Sequence, residues 1–194
     1  MPELLVHTSA TEEWLSLVHE AETASEHHLD EEMQSYLVFL LMRFTEKPEL
    51  AASIMAVEYL QSMQAMGRIG QEQLRNVGDK CLLYSGLFPQ RAERRRVKIS
   101  YFVDLGRSAY QQLSEQLEHN AAVMYHRLAG TFVSLMDILQ AMRALGAPDA
   151  QLDPLRAFEL WQDTGSRAAL KTLEQSTQGT PLVIPGDDDD AQHH

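Results

Sequence analysis

At 194 residues and a net charge of −12, the chain has the length of one domain and can bury a core without metals or disulfides. Its one cysteine, Cys81, excludes an intramolecular disulfide framework and fits a reducing compartment. The longest apolar run, Tyr36 to Met42, is far shorter than the roughly 20 residues needed to span a bilayer, and the first residues lack a basic-then-apolar secretory pattern, so the expectation is a cytoplasmic protein with no membrane span.

The charge is unevenly placed. Residues 1–42 hold nine Asp/Glu and no Lys or Arg, residues 43–186 are nearly balanced with 15 acids and 16 bases, and 187–190 add four aspartates. Such ends repel phosphate backbones, which disfavours general nucleic-acid binding, and steer basic surfaces toward the chain.

Helical periodicity then runs the length of the sequence. Thr11 to about Ala24 places Trp14, Leu15, Val18 and Ala21 on one side, after a cap at Ser9 or Thr11. Asp30 is the expected N-cap of a second helix whose Met33, Tyr36, Leu37, Leu40, Leu41 and Phe44 follow the i, i+3, i+4 pattern, widened by Val38, Phe39 and Met42. Pro48 opens a third, with Leu50, Ile54, Val57 and Leu60 as its stripe, until Gly67 and Gly70 break the pattern. A fourth, from about Gln71, presents Leu74, Val77, Cys81 and Tyr84 and stops at Leu87-Phe88-Pro89.

After an Arg-rich connection, a fifth helix is expected over Ile99–Glu118 and a sixth over Ala121–Leu145, with Met124, Leu128, Phe132, Leu135, Leu139 and Met142 inward. Asp153-Pro154 caps a seventh, broken at Gly165, where Ser166 starts a last piece. No sustained alternation or Asn-Gly or Asp-Gly hairpin turn suggests strands. The reading is an all-α single-domain bundle of about seven helices over 1–175, the second and sixth near its centre, followed by a flexible acidic tail, 176–194. Within that tail, Pro181-Leu182-Val183-Ile184-Pro185 has the composition of a peptide that docks in extended form.

Metal and catalytic signatures are missing. A di-iron bundle needs Glu-x-x-His pairs, and none occurs. His19 with Glu22 and Glu26, and Glu115 with His119, read as solvated helix surface. Cys81 shares the apolar face of Val77 and Tyr84, mid-helix, which suits a buried thiol rather than a nucleophile. No Gly-x-Ser-x-Gly, Walker loop or Gly-x-Gly-x-x-Gly is present. No catalytic residue, metal or cofactor is therefore assigned.

Two features exceed what core packing asks for. Arg91, Arg94, Arg95, Arg96 and Lys98 lead into a helix N-terminus, where unpaired N–H groups favour anions and arginine adds bidentate geometry. The following helix carries Tyr101, Asp104, Gly106, Arg107 and Tyr110. Gly106 costs about 1 kcal/mol relative to Ala there, which predicts a close helix crossing, with Gly130 as its complement. Asp104 and Arg107 are spaced to pair at i, i+3.

Gly78-Asp79, Gly86-Leu87-Phe88-Pro89 and Tyr101-x-x-x-x-Gly106-x-x-x-Tyr110 together resemble a pattern of uncharacterised all-helical bacterial proteins. The resemblance covers roughly 75–115 and implies a bacterial cytoplasmic protein, without supplying an activity. Two functions are expected from the residues. One is a non-catalytic regulatory or protein-interaction module, meeting a basic or acidic protein surface or a second copy of itself, with binding residues Arg91, Arg94, Arg95, Arg96, Tyr101, Asp104, Arg107 and Tyr110. The other is a binder of a small anionic ligand, or an enzyme, with a pocket between the fourth, fifth and sixth predicted helices lined by Asp79, Tyr84, Tyr101, Asp104, Arg107, Tyr110 and His126.

Overall fold

Local capping chemistry sets the first boundary. The Ser9 hydroxyl accepts from the Glu12 amide while the Glu12 carboxylate accepts from the Ser9 amide, a capping box that opens helix α1, Ala10–Ser25. The Asp30 carboxylate caps α2, Glu31–Glu46, by accepting the Met33 amide at 3.0 Å. The computed structural model describes residues 9–46, 59, 67–90, 97–147 and 151–177. The expected third helix, apart from the helical Tyr59, lies outside the described residues, as do Arg91, Arg94, Arg95, Arg96 and the tail beyond 177.

Among the described residues six further helices are bounded: α3 (Gly67–Gly86), α4 (Ile99–Gln116), α5 (His119–Gly130), α6 (Phe132–Gly146), α7 (Pro154–Thr164) and α8 (Arg167–Thr177). The described residues contain no strand, so the architecture is all-α. No single helix among them is long and apolar enough to cross a membrane. Asp153 caps α7 through the Leu155 amide, and Gly165, at φ 72°, turns the chain into α8.

The interior is organised around α3. Every residue from Val77 to Gly86 is buried, including Asp79, Lys80 and Ser85. Leu37 and Leu40 of α2, and Phe132 and Leu135 of α6, are buried in the same core. The second and sixth predicted helices, expected near the centre, both contribute to the core, but α3 is enclosed more completely than either. Its helix also begins earlier than its apolar stripe: only Gly67, at φ 66°, sits at the boundary, while Gly70 lies within the helix.

Helices approach so closely at three glycines that a Cβ would collide. Gly78 lies under the Tyr110 ring, Gly86 under Leu139, and Gly106 against both Phe132 and Cys81. The crossing expected at Gly106 is present. Its complement is Phe132, because a Cβ on Gly130 meets nothing within 4 Å.

That difference has a local cause. The single helix expected over 121–145 is two, α5 and α6, bent by 65°. Thr131 sits at the joint with φ −97° and ψ 8°, and its hydroxyl bonds back to the Arg127 carbonyl at 2.8 Å, a side-chain competition that bends helices. The bend lets α5 lie on α4 while α6 turns against α1, α3 and α8.

Candidate functional site

Asp79 is the most deeply placed carboxylate of α3, with its side chain 2% exposed. Its Oδ1 accepts the hydroxyls of Tyr36 from α2 at 2.5 Å and Tyr110 from α4 at 2.7 Å. Its Oδ2 accepts Arg43 Nη2 at 2.7 Å, and Arg75, one turn away on α3, stands 3.7 Å off. The rings of Tyr36, Tyr110 and Tyr125 meet one another at centroid distances of 5.9–6.3 Å, and Phe132 packs on Tyr110. Three helices are therefore tied at one buried carboxylate whose two oxygens both have charge-matched or hydroxyl donors.

Burial pushes the phenols of Tyr36 and Tyr110 well above the usual tyrosine value, and the neighbouring Asp79 charge adds to the shift. Below pH 10 both folded and unfolded phenols are protonated, and the contribution is intact. As pH rises above 10, the unfolded chain releases protons that the folded state keeps, so stability falls by about 1.4 kcal/mol per pH unit for each tyrosine. Between about pH 9 and about pH 11 the free energy of unfolding from urea titrations is expected to fall by about 1.4 kcal/mol less in total in Tyr110→Phe than in the wild type. Equal losses in the two proteins would contradict the buried, neutral phenol.

Two other carboxylates expected on surfaces or left unremarked are buried too. Glu22, placed by its spacing on a solvated face with His19, is 4% exposed and accepts the Leu29 amide at 2.6 Å and Gln34 Nε2 at 3.0 Å, which fixes the α1–α2 turn. His19 is exposed as expected. Asp137 of α6 is fully buried; it accepts the Ser166 hydroxyl at 2.6 Å, the Arg167 amide at 2.9 Å and the Ala168 amide at 3.3 Å, and contacts His27 Nε2 at 3.1 Å. It thus closes the N-terminus of α8 from a distant helix.

The residues expected to bind are divided between environments. Tyr110 is wholly buried and donates inward to Asp79; Tyr84 is buried against Phe102; Tyr101 is 43% exposed. Asp104, Arg107 and His126 do come together, lining an open groove of about 580 Å³ between α4 and α5 with Ser108 and Gln111. Among the described residues Asp104 and Arg107 form no ion pair with each other. Cys81 is fully buried, as its periodicity predicts. No cluster of three or more His, Cys, Asp or Glu suited to a metal occurs among the described residues. Comparison with protein-family profiles, with curated proteins and with solved structures returned no match.

Sequence reading singled out Asp79 and Tyr110 but missed Arg43 and Tyr36 as their partners. Tyr36 carries a signal: it is the one hydroxyl-bearing residue of an otherwise apolar stripe, and a phenol packed there requires an acceptor.

Proposed function

We propose that this chain is a non-catalytic protein-interaction module that uses the Arg91, Arg94, Arg95 and Arg96 cluster to hold an acidic protein surface. The observation that carries the reading is the closure of the Asp79 centre. Tyrosines, arginine and a buried carboxylate in one cluster are also the ingredients of an active site, but here Asp79 spends both oxygens on Tyr36, Tyr110 and Arg43. It lines neither the groove beside His126 nor the cleft beside α8. The arrangement serves to lock helices together. What remains for function is surface chemistry.

That surface is charged and divided. Arg127 neutralises Asp30 and Glu32 at the start of α2, and Lys171 stands 3.6 Å from Glu26, while Glu13, Glu20 and Glu31 stay exposed. An acidic partner surface, including this face on a second copy, complements the arginine cluster electrostatically. A bacterial cytoplasmic setting belongs to the same reading and rests on the lone cysteine and the resemblance over 75–115.

A second reading has one observation in its favour. Arg107 and His126 face the same open groove, which suits a small anion, although Asp104 on the same wall offsets the cation.

The interaction reading is tested with Arg94→Gln/Arg95→Gln/Arg96→Gln in the full chain. Thermal stability is expected to stay within about 0.5 kcal/mol of wild type, as for surface substitutions. Self-association in sedimentation, and capture of partners from the native cell extract, are expected to weaken at low salt and to converge with wild type once the Debye length falls to about 10 Å or less. Identical behaviour of both proteins at both salt levels, or unfolding of the variant, assigns these arginines a structural role instead.

A further inference from the structure

A cleft of about 530 Å³ lies between α6, α8 and the end of α1. Ala141, Ala144, Leu145, Leu152 and Leu170 form its apolar part, and Leu145 is 45% exposed at its rim. Arg143, Arg167 and Lys171 stand around it against two acids, Glu26 and Glu174. Its volume falls within the roughly 300–1,000 Å³ of sites that enclose a small ligand or a few side chains. A partly apolar cleft with an excess of cations along its edge suits an extended peptide that presents aliphatic side chains followed by carboxylates.

The chain itself carries such a peptide. Helix α8, one wall of the cleft, ends at Thr177, and seventeen residues, 178–194, continue from it. They include Pro181-Leu182-Val183-Ile184-Pro185 and then Asp187-Asp188-Asp189-Asp190. The prolines hold φ and disfavour helix in the residues before them, so an extended form costs less ordering entropy. Val183 lies six positions beyond Thr177, a reach of roughly 20 Å at 3.3 to 3.6 Å per residue. Helix α8, with 11 residues, is only about 16 Å long at 1.5 Å per residue. Extended, the segment is long enough to span that wall.

We propose that Leu182, Val183 and Ile184 occupy this cleft in the same molecule, with the aspartate run held by Arg143, Arg167 and Lys171. The inference does not rest on the arginine-cluster reading, since it uses other residues. Docking covers the exposed Leu145 and places the four aspartates over the part of the surface where cations outnumber acids. A ligand competing for this cleft must then displace the chain's own segment, and the peptide chemistry that would do so is again aliphatic and acidic.

Disulfide trapping in the full chain tests this. Leu145→Cys/Val183→Cys is compared with Val123→Cys/Val183→Cys, whose first site is 58% exposed on α5, away from the cleft. Bridging needs Cα atoms within about 7 Å. The first pair is expected to close intramolecularly about tenfold faster than the second under mild oxidation, and replacing Asp187–Asp190 with Asn is expected to slow it at low salt and not at high salt. Equal rates for the two pairs overturn the proposal. So does a bridge that forms only between molecules, which assigns the cleft to a second copy. A wild-type measurement avoids any dependence on the variants: amide exchange at Leu182, Val183 and Ile184 is expected to be at least about tenfold slower than in an unstructured peptide, and exchange at the unstructured rate rejects docking.

Discussion

Asp79→Ala is expected to lower the free energy of unfolding by about 3–5 kcal/mol, the cost of breaking a buried ion pair from one side. Domains of this size hold only about 5–15 kcal/mol in total, so the variant should melt far below wild type and be partly unfolded under mild conditions. The reason lies in what is left behind. Arg43 loses the carboxylate at 2.7 Å, and the hydroxyls of Tyr36 and Tyr110 lose their common acceptor inside the protein. Tyr36→Phe removes a single donor and is expected to cost only about 1 kcal/mol. Asp79→Asn should fall between the two, since its amide oxygen still accepts from a phenol but offers Arg43 no charge. Urea unfolding followed by far-UV circular dichroism gives the order. If Asp79→Ala stays within about 0.5 kcal/mol of wild type, the carboxylate is not the tie between α2, α3 and α4, and a functional role for it must be reconsidered.

Which parts of this architecture can be read from sequence depends on how far apart the interacting residues lie along the chain. The starts of α1, α7 and α8 were legible because Ser9, one of two caps the spacing offered, Asp153 with Pro154, and Gly165 act within one turn. The enclosure of α3 was not legible from periodicity. Its polar Asp79, Lys80 and Ser85 suggest an outward face, yet all three are buried; Asp79 bonds to α2 and α4, and the Ser85 carbonyl to Gln140 of α6. Glu22 misled for the same reason: its bonds to Leu29 and Gln34 run through a turn, whereas its spacing on α1 speaks only of its own helix. The pair Tyr36 and Asp79 is separated by 43 residues and Tyr110 and Asp79 by 31, distances over which helical period carries no information. The Gly78-Asp79 and Tyr-x-x-x-x-Gly-x-x-x-Tyr elements fall in part on one contact, with Tyr101 left at the surface. Three of their residues, Gly78, Asp79 and Tyr110, prove to be one contact, a ring seated on a glycine with its hydroxyl on the adjacent carboxylate.

Gly106→Ala and Gly130→Ala are expected to change stability in opposite directions, although both glycines are helical and neither has a positive φ. In an open helix, alanine gains up to about 1 kcal/mol over glycine from propensity and from the reduced freedom of the unfolded chain. At Gly130 nothing lies within 4 Å of an added Cβ, so most of that gain should appear, reduced by the position's place at the end of α5. At Gly106 the same Cβ would stand 2.5 Å from the Phe132 ring and 2.8 Å from the Cys81 Cβ. Cys81 cannot yield by rotating a side chain, because its Cβ is fixed to the α3 backbone. The ring is held by Tyr110, so relief requires α4 to move away from α3. Overpacking of that kind costs about 1–3 kcal/mol or more, which exceeds the propensity gain and makes Gly106→Ala a net loss; Gly106→Val should be worse, adding two methyls where one carbon already fails to fit. Thermal melts of the two alanine variants beside wild type decide the matter. A stabilised Gly106→Ala would mean that α3 and α4 can separate at little cost, and the close crossing would then not be what fixes the position of Tyr110 over Gly78.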